Sequence, residues 1–295
     1  MSSTAAPQQN PAPTAAPRVA MLGLGSMNGA ILAGLLASSV QPEDVVATTR
    51  STATAQARAQ EHGVTVLAEA EDPQANQIAA GQADIIFLGV KPHGIVDLAG
   101  SIADSLKPDA VVVSVAAAIS VEMLQGALGQ GQPVIRSMPN TPLSVGLGVV
   151  GLVPGTHASE SDTRRVQDLL AACGTVHVIE ESQIDALTGI SGSGPAYAFY
   201  LAEQMAEAGV RLGLDPALAA DLAAQTVYGA GKMLVSGDGT ADAAALRKAV
   251  CSPNGTTERA IDAFDEHGFP AAVAAAVTAS ATRSAEITDE LRNAR

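Results

Sequence analysis

The chain has 295 residues, enough for one large domain or two ordinary ones, and 47% are hydrophobic, so a substantial core is available. Only 2% are aromatic, with no Trp, so that core is built from Ala, Val, Leu and Ile. A formal net charge of −14 without a Lys/Arg cluster argues against a nucleic-acid partner and against docking on an anionic membrane, and reads as a solubility property.

Residues 1–17, MSSTAAPQQNPAPTAAP, are poor in bulky apolar side chains and predict a disordered tail. They lack the basic start and apolar middle of a secretory signal. From Arg18 the chain alternates. RVAMLGLG reads as a buried strand ending in a glycine turn, SMNGAILAGLLAS as a helix, and DVVATTR as a second strand. STATAQARAQEHG is a polar helix with Gly63 at its C-cap position. GVTVLA, ADIIFLGVKP, DAVVVSVAA, PVIRSMPNTP, VGLGVVGLV and TVHVIE read as strands; DPQANQIAAG, ISVEMLQGALG and SESDTRRVQDLLAACG read as helices. Such alternation predicts a parallel sheet covered on both faces. After residue 181 strand signals are nearly absent and helical periodicity takes over, interrupted near SGSGP. The expected organisation is a tail (1–17), an α/β Rossmann-type dinucleotide-binding domain (18–180) and an all-α domain (181–295).

No apolar run reaches the ~18 residues of a membrane span. Cys173 and Cys251 form neither a CxxC pair nor part of a Cys/His cluster, so no metal site is expected. A disulfide framework is excluded, and the compartment reads as reducing and cytoplasmic.

GLGSMNG, Gly23 to Gly29, follows a strand and opens a helix. Gly23 permits a tight turn, Gly25 lets backbone approach a pyrophosphate, and the helix start offers free N–H groups to phosphate. Asn28 occupies the third glycine position, with Gly29 one later. The bland alternative is a glycine turn without a ligand. NAD-preferring sites place an acid at the end of the second strand. This strand ends ATTRS, where Thr49 and Ser51 can donate hydrogen bonds and Arg50 can meet a 2′-phosphate, which favours NADP. GVKPHG follows the strongest strand and puts Lys91 near a dinucleotide, the bland alternative being a surface turn with a solvated Lys, with His93 assigned to a helix start.

CSPNGTTERAI interrupts an Ala-rich helical half. Pro253 and Gly255 force a turn, and Thr256 or Thr257 is a helix N-cap expectation. The same geometry makes a carboxylate receptor from hydroxyls and backbone N–H groups. In SGSGPAY, Gly192 and Gly194 either contribute to a pocket or let helices cross closely.

Together GLGSMNGAI, FLGVKPH, VVSVAAAIS, VIRSMPNTP, DALTGISGSGPAYAF, GAGKML and SPNGTT resemble the pyrroline-5-carboxylate reductases, from about Arg18 to Glu290. The first motif is shared by many Rossmann enzymes; the last four in this order are more specific. The resemblance implies an all-α dimerisation domain and reduction of 1-pyrroline-5-carboxylate to L-proline with NADPH, or with NADH. By position it implies cofactor contacts from Leu22, Gly23, Leu24, Gly25, Ser26, Met27, Thr49, Arg50, Asn76, Gly89, Val90, Lys91, Pro92, Val115, Ala116 and Ala117. It implies that the substrate carboxylate meets Ser252, Gly255, Thr256 and Thr257, that Thr257 is the catalytic residue, and that Glu181 lies near the ring nitrogen. The expected assembly is a homodimer with intertwined helical domains, which a ring of dimers would extend, and the expected pocket takes nicotinamide from one domain and substrate from the other.

Three departures from the family pattern stand out: Asn254 for the second glycine of the usual SPGG turn, Ala249 for an Asn, and Asn28 for Ala or Gly. A β-hydroxyacid dehydrogenase of the same architecture would need a catalytic Lys in the second domain, and Lys232 is the one obvious choice. A non-catalytic NADP-binding regulator would bind cofactor without imine-dependent oxidation.

Overall fold

The computed structural model describes residues 16–38, 40–235 and 242–294, so most of the expected tail lies outside the described residues. The chain divides into two compact units between Glu181 and Ser182.

In the first unit, short apolar runs become sheet. Its strands are β1 (Val19–Leu22), β2 (Val45–Thr49), β3 (Thr65–Ala68), β4 (Ile85–Leu88), β5 (Val111–Ser114), β6 (Val134–Pro139), β7 (Gly148–Pro154) and β8 (Gly174–Val178). They lie in the order β3-β2-β1-β4-β5-β6-β7-β8. Every residue of β1, β4 and β5 is buried, as continuous apolar runs covered on both faces must be. The crossover helices are α1 (Ser26–Leu36), α2 (Thr52–His62), α3 (Ala75–Gln82), α4 (Pro92–Ile102) and α5 (Val121–Leu128). Ser51 accepts from the Thr54 N–H at the start of α2, and Gly63 ends it at φ 71°, the C-cap read from the sequence. Ile31, Leu32 and Leu35 of α1 join Met21, Phe87 and Val113 in one core.

One strand departs from the expected parallel order. β7 runs antiparallel to β6, pairing Ile135 with Pro154 and Met138 with Gly151. The link between them holds a single 3₁₀ turn, Thr141–Val145, whereas a parallel return needs a crossover of about a dozen residues. α6 (Glu160–Leu170) supplies such a crossover next, and β8 returns parallel to β7. Sheet order reverses at β1, whose neighbours are β2 and β4. The crevice beyond the carboxyl ends of β1 and β4 is therefore the switch point at which open α/β sheets bind ligands.

The second unit is helical among its described residues: α7 (Ile184–Leu187), α8 (Gly194–Arg211), α9 (Pro216–Val235), α10 (Ala243–Val250), α11 (Thr256–Glu266) and α12 (Phe269–Asn293). Near SGSGP the chain passes from α7 to α8 through a π-helical turn, Thr188–Gly192, in which the Ser193 N–H reaches the Thr188 carbonyl at 2.8 Å. The close helix crossing is made one turn before the expected glycines. A Cβ on Gly189 would lie 2.8 Å from the Val277 carbonyl oxygen of α12, while one on Gly194 would meet open space. The Tyr197 hydroxyl donates to the Gly189 carbonyl at 3.0 Å, and the Ser193 and Ser280 hydroxyls bond at 2.7 Å. α8 contributes no buried residue, and Phe199, Tyr200 and Leu212 on or just beyond it are 68%, 63% and 88% exposed.

Candidate functional site

The glycine loop at the switch point separates two kinds of glycine. Gly23 has φ 79°, and a Cβ there would fall 2.6 Å from Val90 Cγ1, so its glycine answers to the fold. Gly25 has φ −84°, is exposed, and a Cβ there would meet nothing nearer than the Gly89 carbonyl at 3.9 Å. Nothing among the described residues requires glycine at this position; what it leaves is open space above backbone. Leu22 and Leu24 are buried and anchor the loop, Ser26 is exposed and Met27 half-buried. α1 starts with no side-chain cap and no acid in its first turn, so its leading N–H groups and positive end are open to an anion.

Behind the loop lies a relay that sequence reasoning missed. The Gly23 N–H donates to Thr48 Oγ1 at 3.1 Å, and the Thr48 hydroxyl donates to Asn76 Oδ1 at 2.6 Å. Asn76, on α3, is thereby oriented by its oxygen. At the end of β2, the Thr49 hydroxyl donates to the Ser51 carbonyl and the Ser51 hydroxyl to Thr54 Oγ1. Both hydroxyls are thus engaged within the loop. Arg50 is exposed and forms no ion pair among the described residues. Gly89 and Val90 follow β4, Lys91 is the N-cap of α4, Pro92 is its first residue, and His93 lies in its first turn as expected. Val115 and Ala116 are buried after β5 and Ala117 is exposed. Ala118 sits at φ 63°, a left-handed conformation that costs a non-glycine residue about 1–2 kcal/mol, directly behind this run.

In the second unit, Ser252 to Thr257 form the turn into α11. Its N-cap is Gly255, not a threonine: φ is −82°, ψ is 169°, and no side chain caps the helix. Thr256 and Thr257 are the first two helical residues, so the expectation of a threonine cap is corrected. Asn254 takes φ 59°, and its N–H donates to Glu258 Oε2 at 2.7 Å. The Gly255 N–H donates to the Ser252 carbonyl at 2.9 Å, and a Cβ on Gly255 would overlap Ser252 Oγ at 2.3 Å. The turn is tight because Asn254 and Gly255 permit it. Glu258 was not foreseen; it places a carboxylate beside the same helix end.

Glu181, the last residue of the first unit, is held by Arg136 of β6. Arg136 is 2% exposed and Nη1 donates to Glu181 Oε1 at 2.6 Å. Glu181 Oε2 and Arg136 Nε are enclosed and have no hydrogen-bond partner. Lys232 is exposed on α9, and Ala249 is exposed at the end of α10. Among the described residues no group of three or more His, Cys, Asp or Glu is placed to hold a metal ion. Among the described residues no helix is long and apolar enough to cross a membrane.

Residues 18–118 match the family model described as NADP oxidoreductase coenzyme F420-dependent, and residues 181–287 the one described as pyrroline-5-carboxylate reductase dimerisation. A pyrroline-5-carboxylate reductase of Pseudomonas aeruginosa is 38% identical over 93% of this chain and 98% of its own. The chain belongs to the pyrroline-5-carboxylate reductase family. Among solved members of that family, the Coxiella burnetii enzyme matches with a TM-score of 0.84 at 31% identity, covering 92% of this chain and 98% of its own. The Plasmodium falciparum enzyme, solved with NADP bound, matches with a TM-score of 0.79 at 26% identity and the same two coverages. For this reductase family the fold is thus a Rossmann-like sheet followed by a helical dimerisation domain. The open cradle at Gly25 fits a dinucleotide, since with no Cβ there a phosphate can approach the backbone closely.

Proposed function

We propose that this chain reduces 1-pyrroline-5-carboxylate to L-proline with a nicotinamide dinucleotide, NADPH by preference, bound at the β1/β4 switch point. The observation that carries the cofactor half is Gly25: exposed, in an ordinary conformation, with space around its absent Cβ. Family membership carries the substrate half. When bound, the cofactor supplies a hydride.

The residues' roles follow from their chemistry. The loop Leu22–Met27, the run Gly89–Pro92 and Val115–Ala117 hold the dinucleotide. Arg50, exposed and without an ion pair among the described residues, suits a 2′-phosphate. Main-chain N–H groups at the start of α11, with the Thr256 and Thr257 hydroxyls, hold the substrate carboxylate at the positive end of the helix. Thr257 is the residue on which that grip most depends. Glu181, by its negative charge, favours the iminium form electrostatically. Conversion of C=N to an amine takes one hydride and one proton, and an imine protonated in water brings that proton with it. Positioning is then the main demand, and in favourable systems it is worth roughly 7–11 kcal/mol.

The protein works as a homodimer built on its helical unit, with the helices intertwined, and a ring of dimers extends the same contact. Exposed Phe199, Tyr200 and Leu212 and the matched dimerisation model support this. A reducing, cytoplasmic setting belongs to the same reading.

The test follows NADPH absorbance with pyrroline-5-carboxylate. Imine-dependent oxidation is expected, and Thr257→Ala raises the substrate KM strongly. Arg50→Ala weakens NADPH far more than NADH; equal losses refute the phosphate role. Cofactor binding with no imine-dependent oxidation overturns the enzyme reading in favour of a regulator. Activity on a β-hydroxyacid abolished by Lys232→Ala favours the dehydrogenase reading.

A further inference from the structure

We propose that Asn28 is a positioning residue for the cofactor: its buried amide clamps the glycine loop after β1 to the end of β4, replacing the third glycine of the usual fingerprint by a side-chain tie. The inference rests on reading residues 22–27 and 89–92 as the cofactor loops.

In the ordinary fingerprint the third glycine lets the helix sit close to the strand. Here Asn28 stands at that position, in the first turn of α1, and is 0% exposed. Its Nδ2 lies 3.2 Å from the Gly23 carbonyl oxygen and 3.4 Å from those of Leu22 and Phe87. Two of these carbonyls belong to β1 and β4, the strands that flank the switch point. The third belongs to the loop itself. One amide thus ties together the three backbone segments that frame the crevice.

Room for this side chain comes from across the sheet. A Cβ on Gly89 would fall 2.3 Å from Asn28 Nδ2 and 2.4 Å from Cγ. Gly29, the glycine next in sequence, does not compensate: a Cβ there would meet His62 Nε2 at 3.8 Å and Arg58 Nη1 at 3.9 Å, which is ordinary contact. The glycine that close packing demands is therefore found at the end of β4 instead of on α1.

The tie has a cost that argues against a purely structural filler. Among the described residues Asn28 Oδ1 is enclosed with no hydrogen-bond partner, and an unmet buried acceptor keeps its full desolvation cost. A hydrophobic side chain of similar size would fill the space without that cost. What the amide alone supplies is orientation of three carbonyls, and with them both loops. A loop ordered before binding loses less entropy when the ligand arrives.

The test is a fluorescence titration of NADPH together with melting of the cofactor-free protein. Asn28→Gly, which restores the usual fingerprint, raises the NADPH Kd about tenfold while the pyrroline-5-carboxylate KM stays within about twofold. Gly89→Ala alone lowers the cofactor-free Tm sharply, but in the Asn28→Gly background the added methyl enters vacated space and the loss largely disappears. Equal Tm losses from Gly89→Ala in both backgrounds overturn the clamp. Gly25→Ala is the control: it leaves the cofactor-free Tm unchanged and weakens NADPH. If Gly25→Ala leaves the Kd unaltered, the loop assignment itself is wrong. If Gly25→Ala weakens binding and Asn28→Gly does not, the assignment stands and the inference about Asn28 fails.

Discussion

The Arg136 guanidinium, 2% exposed, donates to the Glu181 carboxylate at 2.6 Å and so ties the interior of β6 to the last residue of the first unit. Taking the carboxylate away leaves a cation buried without its partner. In a fully buried pair that costs about 3–5 kcal/mol, but Glu181 is 40% exposed and water can partly replace it. Glu181→Ala should therefore cost about 2 kcal/mol and lower the first unit's Tm by about 4–8 °C. Glu181→Gln keeps an acceptor for Arg136 and costs less. A Glu181→Ala protein that melts with the wild type shows the pair to be without weight.

Gly23 and Gly25, two residues apart, should respond in opposite ways to the same methyl group. Gly23→Ala forces a left-handed alanine against Val90 and destabilises the protein without any ligand, by about 2 kcal/mol or more. Gly25→Ala is silent in denaturant melts of the cofactor-free protein and lowers NADPH affinity. Calorimetric titration beside each melt separates the two, and matched losses of stability at both positions contradict the distinction.

Asn254 offers a test of the proposed carboxylate turn. At φ 59° it adopts a conformation in which Asn is favoured among non-glycine residues. Asn254→Gly keeps the turn, so KM for pyrroline-5-carboxylate changes little. Asn254→Ala costs about 1 kcal/mol in that conformation and loosens the amides that follow. A KM several-fold above that of Asn254→Gly is expected. Identical KM values for the two variants indicate that backbone shape at residue 254 does not govern the grip.

Much of this architecture is legible in the sequence, and the exceptions share a cause. Runs such as VAML and IIFL announce buried strands because their pattern is local, and Gly63 announces a helix end for the same reason. The reversal at β7 escaped because strand direction depends on what the connecting segment can span, not on the strand's own composition. Asn28 read as a mild departure because its partner, Gly89, is remote in sequence. The Arg136–Glu181 pair was equally invisible. Thr256 and Thr257 looked like caps by residue type, whereas the extended conformation at Gly255 decides which residue fills that position.

Cys173 gives a prediction about alkaline pH. Burial pushes its thiol up to about 11, whereas an unfolded cysteine ionises near about 8.5. The folded value is the higher one, so the unfolded chain releases the proton first. Stability from this group is intact below the unfolded value and is lost as pH rises from there through about 11. Other groups titrate in the same range, so the readout is a difference. Urea melts of wild type and Cys173→Ala should diverge less at pH 10.5 than at pH 8, on the order of the single-group linkage. A constant difference across that window contradicts the burial argument.

The helices of the second unit bear on how the protein survives dilution. α8 runs eighteen residues without fully burying one, and α12 runs twenty-five with only Ser284 fully buried. Helices with so little of their surface packed hold little free energy by themselves. In the proposed dimer, completion of this unit and encounter with a second copy are one thermodynamic event, and its melting temperature should climb with protein concentration. Near the subunit dissociation constant, simple dilution would act on this half of the molecule as a denaturant.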